Sequence, residues 1–201
     1  MSRICEYYFA PQSPWSYLGH TRLIALAKQY DVQIDMKPID LAKIFGVSGG
    51  LPLAKRPPQR QAYRLVEMKR WSEVLGMPMN LHPKFFPVSG DPSAKLIIAA
   101  KFAHGTDAAM DLASAVMQSL WVDEKNIGDA DTLIALANAA GHDGAALFKS
   151  SETAAVQNEY DQFTNDAIAA SMFGAPWYVV DGEAFWGQDR LDFVERAFQK
   201  K

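Results

Sequence analysis

Both ends of the chain carry short strand patterns, whereas its long middle part carries helical ones. The run Ile4–Phe9 is β-branched and aromatic and stops at Pro11, which predicts a buried strand followed by a loop. Ser13-Pro14 then has the form of a helix N-cap with proline at the first helical position. Residues 32–38 alternate apolar and polar side chains, so a second, parallel strand would complete a right-handed βαβ unit.

The strand pattern returns near the C-terminus. Trp177–Val180, the turn Asp181-Gly182 and residues 184–186 predict a β-hairpin, and apolar spacing from Leu191 to Phe198 predicts a closing helix. The order β-α-β, helical insertion, β-β-α resembles the DsbA-like branch of the thioredoxin superfamily. We therefore expect an α/β, thioredoxin-like fold in which residues 1–40 and 174–201 form the thioredoxin-like domain and residues 41–173 form a large all-helical insertion.

The predicted insertion begins with a connection from Leu41 to Pro58 that is rich in glycine and proline, which predicts a loop. Helical segments follow, separated by further Gly and Pro residues, and we place them at 62–75, 93–103, 108–122, 130–139 and 152–172. The third segment carries apolar residues at helical spacing from Leu112 to Trp121, which indicates a core face and not a cofactor-binding stripe.

The composition narrows the classes of partner. The formal net charge is −3, and the Lys and Arg residues are scattered, so the sequence has no basic patch of the kind that binds nucleic acid. The apolar runs are far shorter than the roughly 20 residues that span a bilayer, and the N-terminus lacks a signal-peptide pattern. We expect a cytoplasmic protein that acts on small molecules, with no membrane and no nucleic-acid partner.

Cys5 is the only cysteine, which excludes a Cys-x-x-Cys redox or zinc motif. Thioredoxin-like oxidoreductases place such a motif where the first strand meets the first helix, because a helix N-terminus stabilises a thiolate. This chain has Ser13-Pro14-Trp15-Ser16 there. A serine hydroxyl cannot form a disulfide, but it can donate a hydrogen bond to a thiolate that a ligand supplies. Taken alone, Ser13-Pro14 before an apolar helix favours a simple helix cap.

Two further segments favour a ligand site. Pro176 directly precedes a strand expected to be central, and in thioredoxin-like folds the residue before a cis-proline, here Ala175, pairs through its backbone with a thiol-bearing peptide. The alternative is a trans-proline at the start of a strand. Near the last helix, exposed N–H groups would bind a carboxylate and Asp189 an ammonium group. The alternative is that Gln188 or Asp189 only caps that helix.

Three segments together carry a specific resemblance. Tyr7-Tyr-Phe-Ala-Pro-Gln-Ser-Pro-Trp-Ser-Tyr-Leu-Gly19, Phe173-Gly-Ala-Pro176 and Phe185-Trp-Gly-Gln-Asp-Arg-Leu191 resemble the signatures of 2-hydroxychromene-2-carboxylate isomerases and kappa-class glutathione transferases. The resemblance implies glutathione as cofactor, with its sulfur at Ser13, its cysteinyl backbone at Ala175 beside a cis-Pro176, and its γ-glutamyl end at Gln188 and Asp189. It also suggests a homodimer.

The chain departs from the family pattern at two positions. Gly50 stands where the family often offers an asparagine to glutathione, and Ala10 stands where an aspartate is common. Three cations follow the glycine-rich loop, and of these Arg60, with Lys55 and Arg56, is a candidate to bind the glycyl carboxylate or an acidic substrate. The alternative is a solvated cluster at the start of a helix.

The remaining residue types give weaker signals. The four histidines are dispersed without metal-ligand spacing: His20, His82, His104 and His142. Cys5 lies inside the first strand and is predicted to be a buried small side chain. Aromatic residues that could wall a flat substrate are Tyr63, Phe85, Phe86 and Trp186, although most aromatic side chains belong to a core.

The sequence thus favours a glutathione-dependent cis-trans isomerase in aromatic compound catabolism, which acts on an aromatic keto-acid or its hemiketal with Ser13 as the catalytic residue. Two alternatives remain. A kappa-like glutathione transferase would use the same activated thiol to conjugate an electrophile. A non-catalytic thioredoxin-like module would bind glutathione or a peptide without turnover.

Overall fold

The structure is a computed structural model that describes residues 3–200. Its centre is a four-stranded mixed sheet of order β2-β1-β3-β4. The strands are β1 (Ile4–Phe9), β2 (Gln33–Pro38), β3 (Trp177–Val180) and β4 (Glu183–Trp186). β1 is parallel to β2 and antiparallel to β3, and β3 is antiparallel to β4. The predicted α/β thioredoxin-like fold with a helical insertion is confirmed.

Nine α-helices occur within the described residues. They are α1 (Pro14–Gln29), α2 (Leu41–Ser48), α3 (Pro58–Leu75), α4 (Asp91–His104), α5 (Thr106–Trp121), α6 (Ala130–Ala139), α7 (Gly144–Ser151), α8 (Ala154–Ala169) and α9 (Leu191–Gln199). Single 3-10 turns lie at Leu53–Lys55 and Gln188–Arg190. No helix in residues 3–200 is both long and apolar enough to cross a membrane.

The structure corrects the predicted loop after Leu41. This segment contains α2, because the Asp40 carboxylate caps it by accepting hydrogen bonds from the N–H groups of Ala42 and Lys43. Gly49 ends the helix with φ at +76°, a left-handed conformation that suits glycine. An N-cap and a C-terminal glycine were both present in the sequence, but they enclose only two helical turns and the flanking prolines outweighed them.

The structure also corrects the predicted segment 152–172. Its helix α8 ends at Ala169, and a separate short helix, α7, precedes it, with the Asp143 carboxylate accepting a hydrogen bond from Ala146 N–H. The stripe on α5 was predicted correctly, because its apolar residues from Leu112 to Trp121 are buried. Cys5 is buried as predicted. Burial, followed by the nearby charge of Glu6, raises the pKa of its thiol to about 12, so this thiol is unreactive at neutral pH.

The strand register brings three chain segments to one edge of the sheet. Tyr8 near the end of β1 lies opposite Trp177 at the start of β3, and Trp177 in turn lies opposite Trp186 at the end of β4. The segment after β1, the segment before β3 and the segment after β4 therefore leave the sheet at the same edge. These are the segments in which the sequence placed its three candidate motifs.

Candidate active site

Ser13 caps the N-terminus of α1, and the N–H group of Trp15 in the first turn has no partner inside the helix. Its Oγ accepts a hydrogen bond from Ser16 N–H at 3.3 Å, and its carbonyl accepts one from Tyr17 N–H at 3.0 Å. Pro14 has no N–H, so the N–H of Trp15 is the one in this first turn without a partner inside the helix. Ser13 is 4% exposed. The Ser13 hydroxyl proton and the Trp15 N–H are thus two donors at the positive end of a helix.

The peptide bond between Ala175 and Pro176 is cis. Ala175 is buried and lies before the first paired residue of β3, so its N–H and C=O are outside the ladder that joins β1 and β3. The carbonyl of Pro176 accepts a hydrogen bond from Gly187 N–H at 2.9 Å. This bond fixes the segment before β3 against the segment after β4.

Gln188 is buried and is tied to α1. Its Oε1 accepts a hydrogen bond from Arg22 at 2.7 Å, and its backbone carbonyl accepts a second one from the same guanidinium nitrogen at 3.2 Å. Gly19 allows this approach, because a Cβ there would lie 3.0 Å from Cβ of Gln188 and 2.8 Å from the hydroxyl of Tyr178. The Gln188 side chain therefore positions its segment, and its backbone is what it can offer to a ligand.

Asp189 lies on the surface in the 3-10 turn that precedes α9. Its Oδ2 accepts a hydrogen bond from Arg190 at 2.7 Å. Gly187 before the turn has φ at +102°, and a side chain there would collide with the other Asp189 oxygen. The turn thus presents its first N–H groups beside a carboxylate, the pair of functions that a zwitterionic α-amino acid requires.

Gly50 lies on the connection between α2 and α3, and Arg60 lies in the first turn of α3. The ring of Phe45 occupies the space that a Gly50 side chain would need. Arg60 is exposed at the start of α3, and Arg56 stacks over the Phe45 ring at 5.7 Å. Burial, and next the charge of Arg60, lower the pKa of Arg56. Neither arginine takes part in an ion pair within residues 3–200.

Of the aromatic candidates, Trp186 lies with the three segments at the sheet edge. It is 51% exposed, and it contacts Phe173 edge to face at 4.7 Å between ring centres. Its indole packs directly over Gly174. Tyr63 is exposed on α3, whereas the Phe86 ring packs at a tilt against Trp121, with ring centres 4.9 Å apart. Trp186 and Phe173 thus form an apolar border beside Ala175.

His20 lies in the core. Its Nδ1 shares a hydrogen bond with Tyr7 Oη at 3.1 Å, and its Nε2 shares one with the Met110 carbonyl at 2.9 Å. Burial lowers the pKa of His20 to about 4, against the opposing effect of the Met110 carbonyl. His104 and His142 stack on each other with ring centres 4.4 Å apart. Residues 3–200 contain no group of three or more His, Cys, Asp or Glu side chains placed to hold a metal ion.

Surface recesses occur elsewhere. An open depression of about 810 Å³ lies at the opposite end of β1 and is lined by Arg3, Glu6, Asp35 and Asp181. Arg3 and Asp181 form an ion pair there at 3.0 Å. A smaller recess of about 200 Å³ lies beside His20, between α1 and α5. Neither recess contains a residue that the sequence assigned to the site.

Sequence reasoning did not single out Arg64, on the second turn of α3. Its guanidinium carbon lies 5.1 Å from the centre of the Phe86 ring, and its Nη2 is buried without a hydrogen-bond partner in the described residues. The one available signal was its position four residues after Arg60, on the same helix face. Its aromatic neighbours come from distant parts of the chain and gave no local pattern.

The comparisons with known proteins agree with the fold. The DSBA-like thioredoxin domain family matches residues 4–199. The 2-hydroxychromene-2-carboxylate isomerase of Sphingobium xenophagum is 32% identical over 97% of this chain and 97% of its own length. Glutathione S-transferase kappa 1 of Rattus norvegicus is 24% identical over 99% of this chain and 92% of its own. A solved 2-hydroxychromene-2-carboxylate isomerase structure superposes with a TM-score of 0.77 and 26% identity, covering 98% of this chain and 94% of that one.

The fold and the site define a thioredoxin-like protein whose helix N-terminus carries serine in place of cysteine. The chain belongs to the DSBA-like thioredoxin domain family, in its branch of 2-hydroxychromene-2-carboxylate isomerases. The resemblance stated from the sequence is confirmed.

Proposed function

We propose that this protein is a glutathione-dependent cis-trans isomerase that acts on 2-hydroxychromene-2-carboxylate or a similar aromatic keto-acid. The observation that carries the proposal is the free donor pair at the start of α1, the Ser13 hydroxyl and the Trp15 N–H. The isomerase relative, at 32% identity over nearly the whole chain, supports the reaction type. The kappa-class relative supports the use of glutathione.

The three segments at the sheet edge fit the parts of glutathione. Ser13 and Trp15 suit a thiolate, because two donors and the helix dipole favour the anion over the thiol. The free backbone of Ala175 suits the cysteinyl residue, which would add as a short strand. The turn at Gln188 and Asp189 suits the γ-glutamyl end, with N–H groups for its carboxylate and a carboxylate for its ammonium group.

The chain's own residues would hold the thiol in its reactive form. When bound, glutathione supplies a thiolate that adds reversibly to a conjugated carbonyl compound and so frees its double bond to rotate. Ser13 keeps Ser16 N–H on its oxygen and turns its own proton to the sulfur. Arg22 fixes Gln188, and the Gly187 N–H bond to Pro176 fixes the neighbouring segment, so the donors keep their geometry.

Thiol activation at Ser13 is tested by titration. Glutathione is bound to the wild type and to Ser13→Ala, and thiolate absorbance is followed with pH. We expect the bound thiol of the wild type to have a pKa at least one unit below its free value, and Ser13→Ala to remove most of that shift. Ser114→Ala is the matched control, because this serine lies on α5 and bonds only to the Met110 carbonyl. An unshifted wild-type thiol contradicts the proposal.

Ser13→Cys measures the same site without glutathione. The introduced thiol would stand at the N-terminus of α1, where we expect its pKa to fall below the ordinary value of about 8.5. Its alkylation rate with pH reports that pKa directly, since Cys5 is buried and its thiol pKa is about 12. An introduced thiol with an ordinary pKa would show that the helix end does not activate sulfur.

A glutathione transferase is the second candidate, because the kappa-class relative matches 99% of the chain. Both activities need the activated thiol, and they differ in its fate. Incubation with 2-hydroxychromene-2-carboxylate and glutathione separates them: an isomerase forms the trans product with total thiol unchanged, whereas a transferase consumes thiol. Binding of glutathione without either result would favour a non-catalytic module.

A further inference from the structure

Arg64 is a cation held among aromatic rings without an anionic partner. Its guanidinium carbon lies 5.1 Å from the ring centre of Phe86 and 5.9 Å from that of Trp121. Its Nη2 is buried and bonded to nothing in residues 3–200, and no ion pair of those residues includes Arg64. Burial, with a contribution from Arg56, lowers the pKa of Arg64 to about 10, so the side chain is charged at neutral pH.

Trp121 presents a second unused donor at the same place. Its side chain is fully buried at the end of α5, and its Nε1–H has no acceptor among the described residues. Buried donors in folded proteins are nearly always satisfied. The indole and the guanidinium can donate but cannot accept, so neither group can satisfy the other. An oxygen acceptor from a ligand or an ordered water molecule would satisfy both donors. A carboxylate would in addition pair with the charge of Arg64.

The charges around Arg64 reinforce this requirement. Arg56 contributes to the lowered pKa of Arg64, and Arg60 to that of Arg56. Neither Arg56 nor Arg60 forms an ion pair in residues 3–200. The nearest acid along α3, Glu67, is instead bound to Arg70 at 2.7 Å. No ion pair within the described part of the chain therefore neutralises Arg56, Arg60 or Arg64.

The loop between Phe86 and Gly90 links this donor pair to the Ser13 site. The side chain of Gln12, the residue before Ser13, packs directly on Gly90, and its Oε1 is buried without a partner in the described residues. Phe86 at the other end of the loop is the residue on which Arg64 stacks. The loop thus runs from the ring beside Arg64 to the glycine on which Gln12 packs, next to Ser13.

We propose that Arg64 and Trp121 form a carboxylate-binding site, in which the guanidinium and the indole N–H hold one carboxylate of a ligand that reacts at Ser13. That carboxylate belongs either to the glycyl end of glutathione or to an acidic aromatic co-substrate. Its link to the chemistry at Ser13 rests on the proposed function, whereas the unpaired donors themselves do not. Phe86 adds a flat apolar surface beside the charge, which suits a carboxylate attached to a small organic group.

Binding measurements with three probes test this site and identify the source of the carboxylate. The probes are glutathione, its glycyl ethyl ester and trans-cinnamate, titrated by calorimetry at pH 7. The variants are Arg64→Gln, which removes the charge, and Trp121→Phe, which removes the N–H and keeps the ring. Arg70→Gln is the matched control, because it changes the net charge equally on the same helix but removes only an exposed pair with Glu67.

We expect Arg64→Gln to weaken binding of one carboxylate probe by about tenfold or more, and Trp121→Phe to weaken the same probe by less. If glutathione is affected, the wild type should also bind the ester more weakly, and Arg64→Gln should remove that difference. If trans-cinnamate is affected, glutathione and its ester should bind every variant alike. The proposal is wrong if Arg64→Gln binds all three probes as Arg70→Gln does.

The thiol titration described for Ser13 keeps the two proposals distinguishable. A normally shifted thiol with carboxylate binding insensitive to Arg64 would overturn only the carboxylate site. An unshifted thiol with carboxylate binding that depends on Arg64 would overturn only the proposed reaction.

Discussion

His20 is a buried polar side chain and Arg64 a partly buried one, and their polar atoms differ in their hydrogen bonding. His20 on α1 has both ring nitrogens hydrogen-bonded, one to Tyr7 on β1 and one to Met110 on α5, and its neutral form is favoured. Arg64 lies between α3 and the loop at Phe86, charged and with Nη2 unbonded within the described residues. A polar group with complete internal bonding contributes to stability, whereas a buried one without a partner in the described residues needs a ligand or an ordered water molecule to satisfy it.

The largest expected effect is the pH dependence of stability that His20 causes. Its pKa is about 4 in the folded protein and about 6.5 when unfolded, so the unfolded chain binds the extra proton between these values. Its contribution is therefore complete above pH 6.5 and is lost as the pH falls from 6.5 to 4. This linkage amounts to about 3 kcal/mol in the free energy of unfolding.

Urea unfolding of the wild type and of His20→Gln, repeated between pH 7 and pH 4, measures that contribution. The carboxylates titrate in both proteins, so the difference between the two curves isolates His20. We expect the stability advantage of the wild type to shrink with falling pH. His82→Gln, which changes an exposed histidine, should follow the wild type. Parallel curves for the wild type and His20→Gln would contradict a neutral His20 in the folded state.

A smaller effect is expected from two stacked tyrosines that differ in their hydroxyl partners. The rings of Tyr7 and Tyr178 are both fully buried and lie 5.5 Å apart. Tyr7 Oη is bonded to His20, whereas Tyr178 Oη has no partner in the described residues. We expect Tyr7→Phe to cost about 1–2 kcal/mol of unfolding free energy, since it also leaves an imidazole nitrogen unbonded. Tyr178→Phe should cost nothing or stabilise slightly.

Chemical denaturation of both variants at pH 7 checks this pair. The ring and the burial are the same in both, so the bond to His20 is the main difference. Equal losses of unfolding free energy in the two variants would show that the hydroxyl of Tyr178 does have a partner. Tyr178 would then resemble Tyr7 and not Arg64.

The fold was predictable because its end segments have strong local patterns. Pro11 follows the end of β1, and Ser13 caps α1 with Pro14 as the first helical residue. Asp181-Gly182 specifies the hairpin turn. The short helices α2 and α7 were missed, since each has only eight residues and little periodicity. Their carboxylate caps gave a signal that was weaker than the neighbouring glycines and prolines.

The site could be predicted only where it depends on the ends of these elements. Ser13, Ala175 and the turn after Gly187 follow or precede strands, so the strand order alone brings them to one edge. Gln188 shows the limit, because its bond to Arg22 across 166 positions leaves no trace in local sequence. The same holds for Arg64. Whether its Nη2 has a hydrogen-bond partner depends on residues distant in the chain, so no local sequence pattern indicates it.

The smallest expected effect is the response of stability to the loss of the Arg64 charge. An unpaired buried cation does not stabilise the free protein, so Arg64→Met, which keeps an apolar stem against Phe86, should raise the free energy of unfolding by about 0.5 kcal/mol or leave it unchanged. Arg70→Met removes an exposed pair with Glu67 and should lower it by up to about 0.5 kcal/mol. Thermal and urea unfolding of both variants without ligand measure the two signs. A loss of about 2 kcal/mol or more of unfolding free energy in Arg64→Met, the scale of breaking a buried hydrogen bond, would show that Arg64 stabilises the fold as His20 does. Its unpaired charge would then be no reason to assign it a ligand.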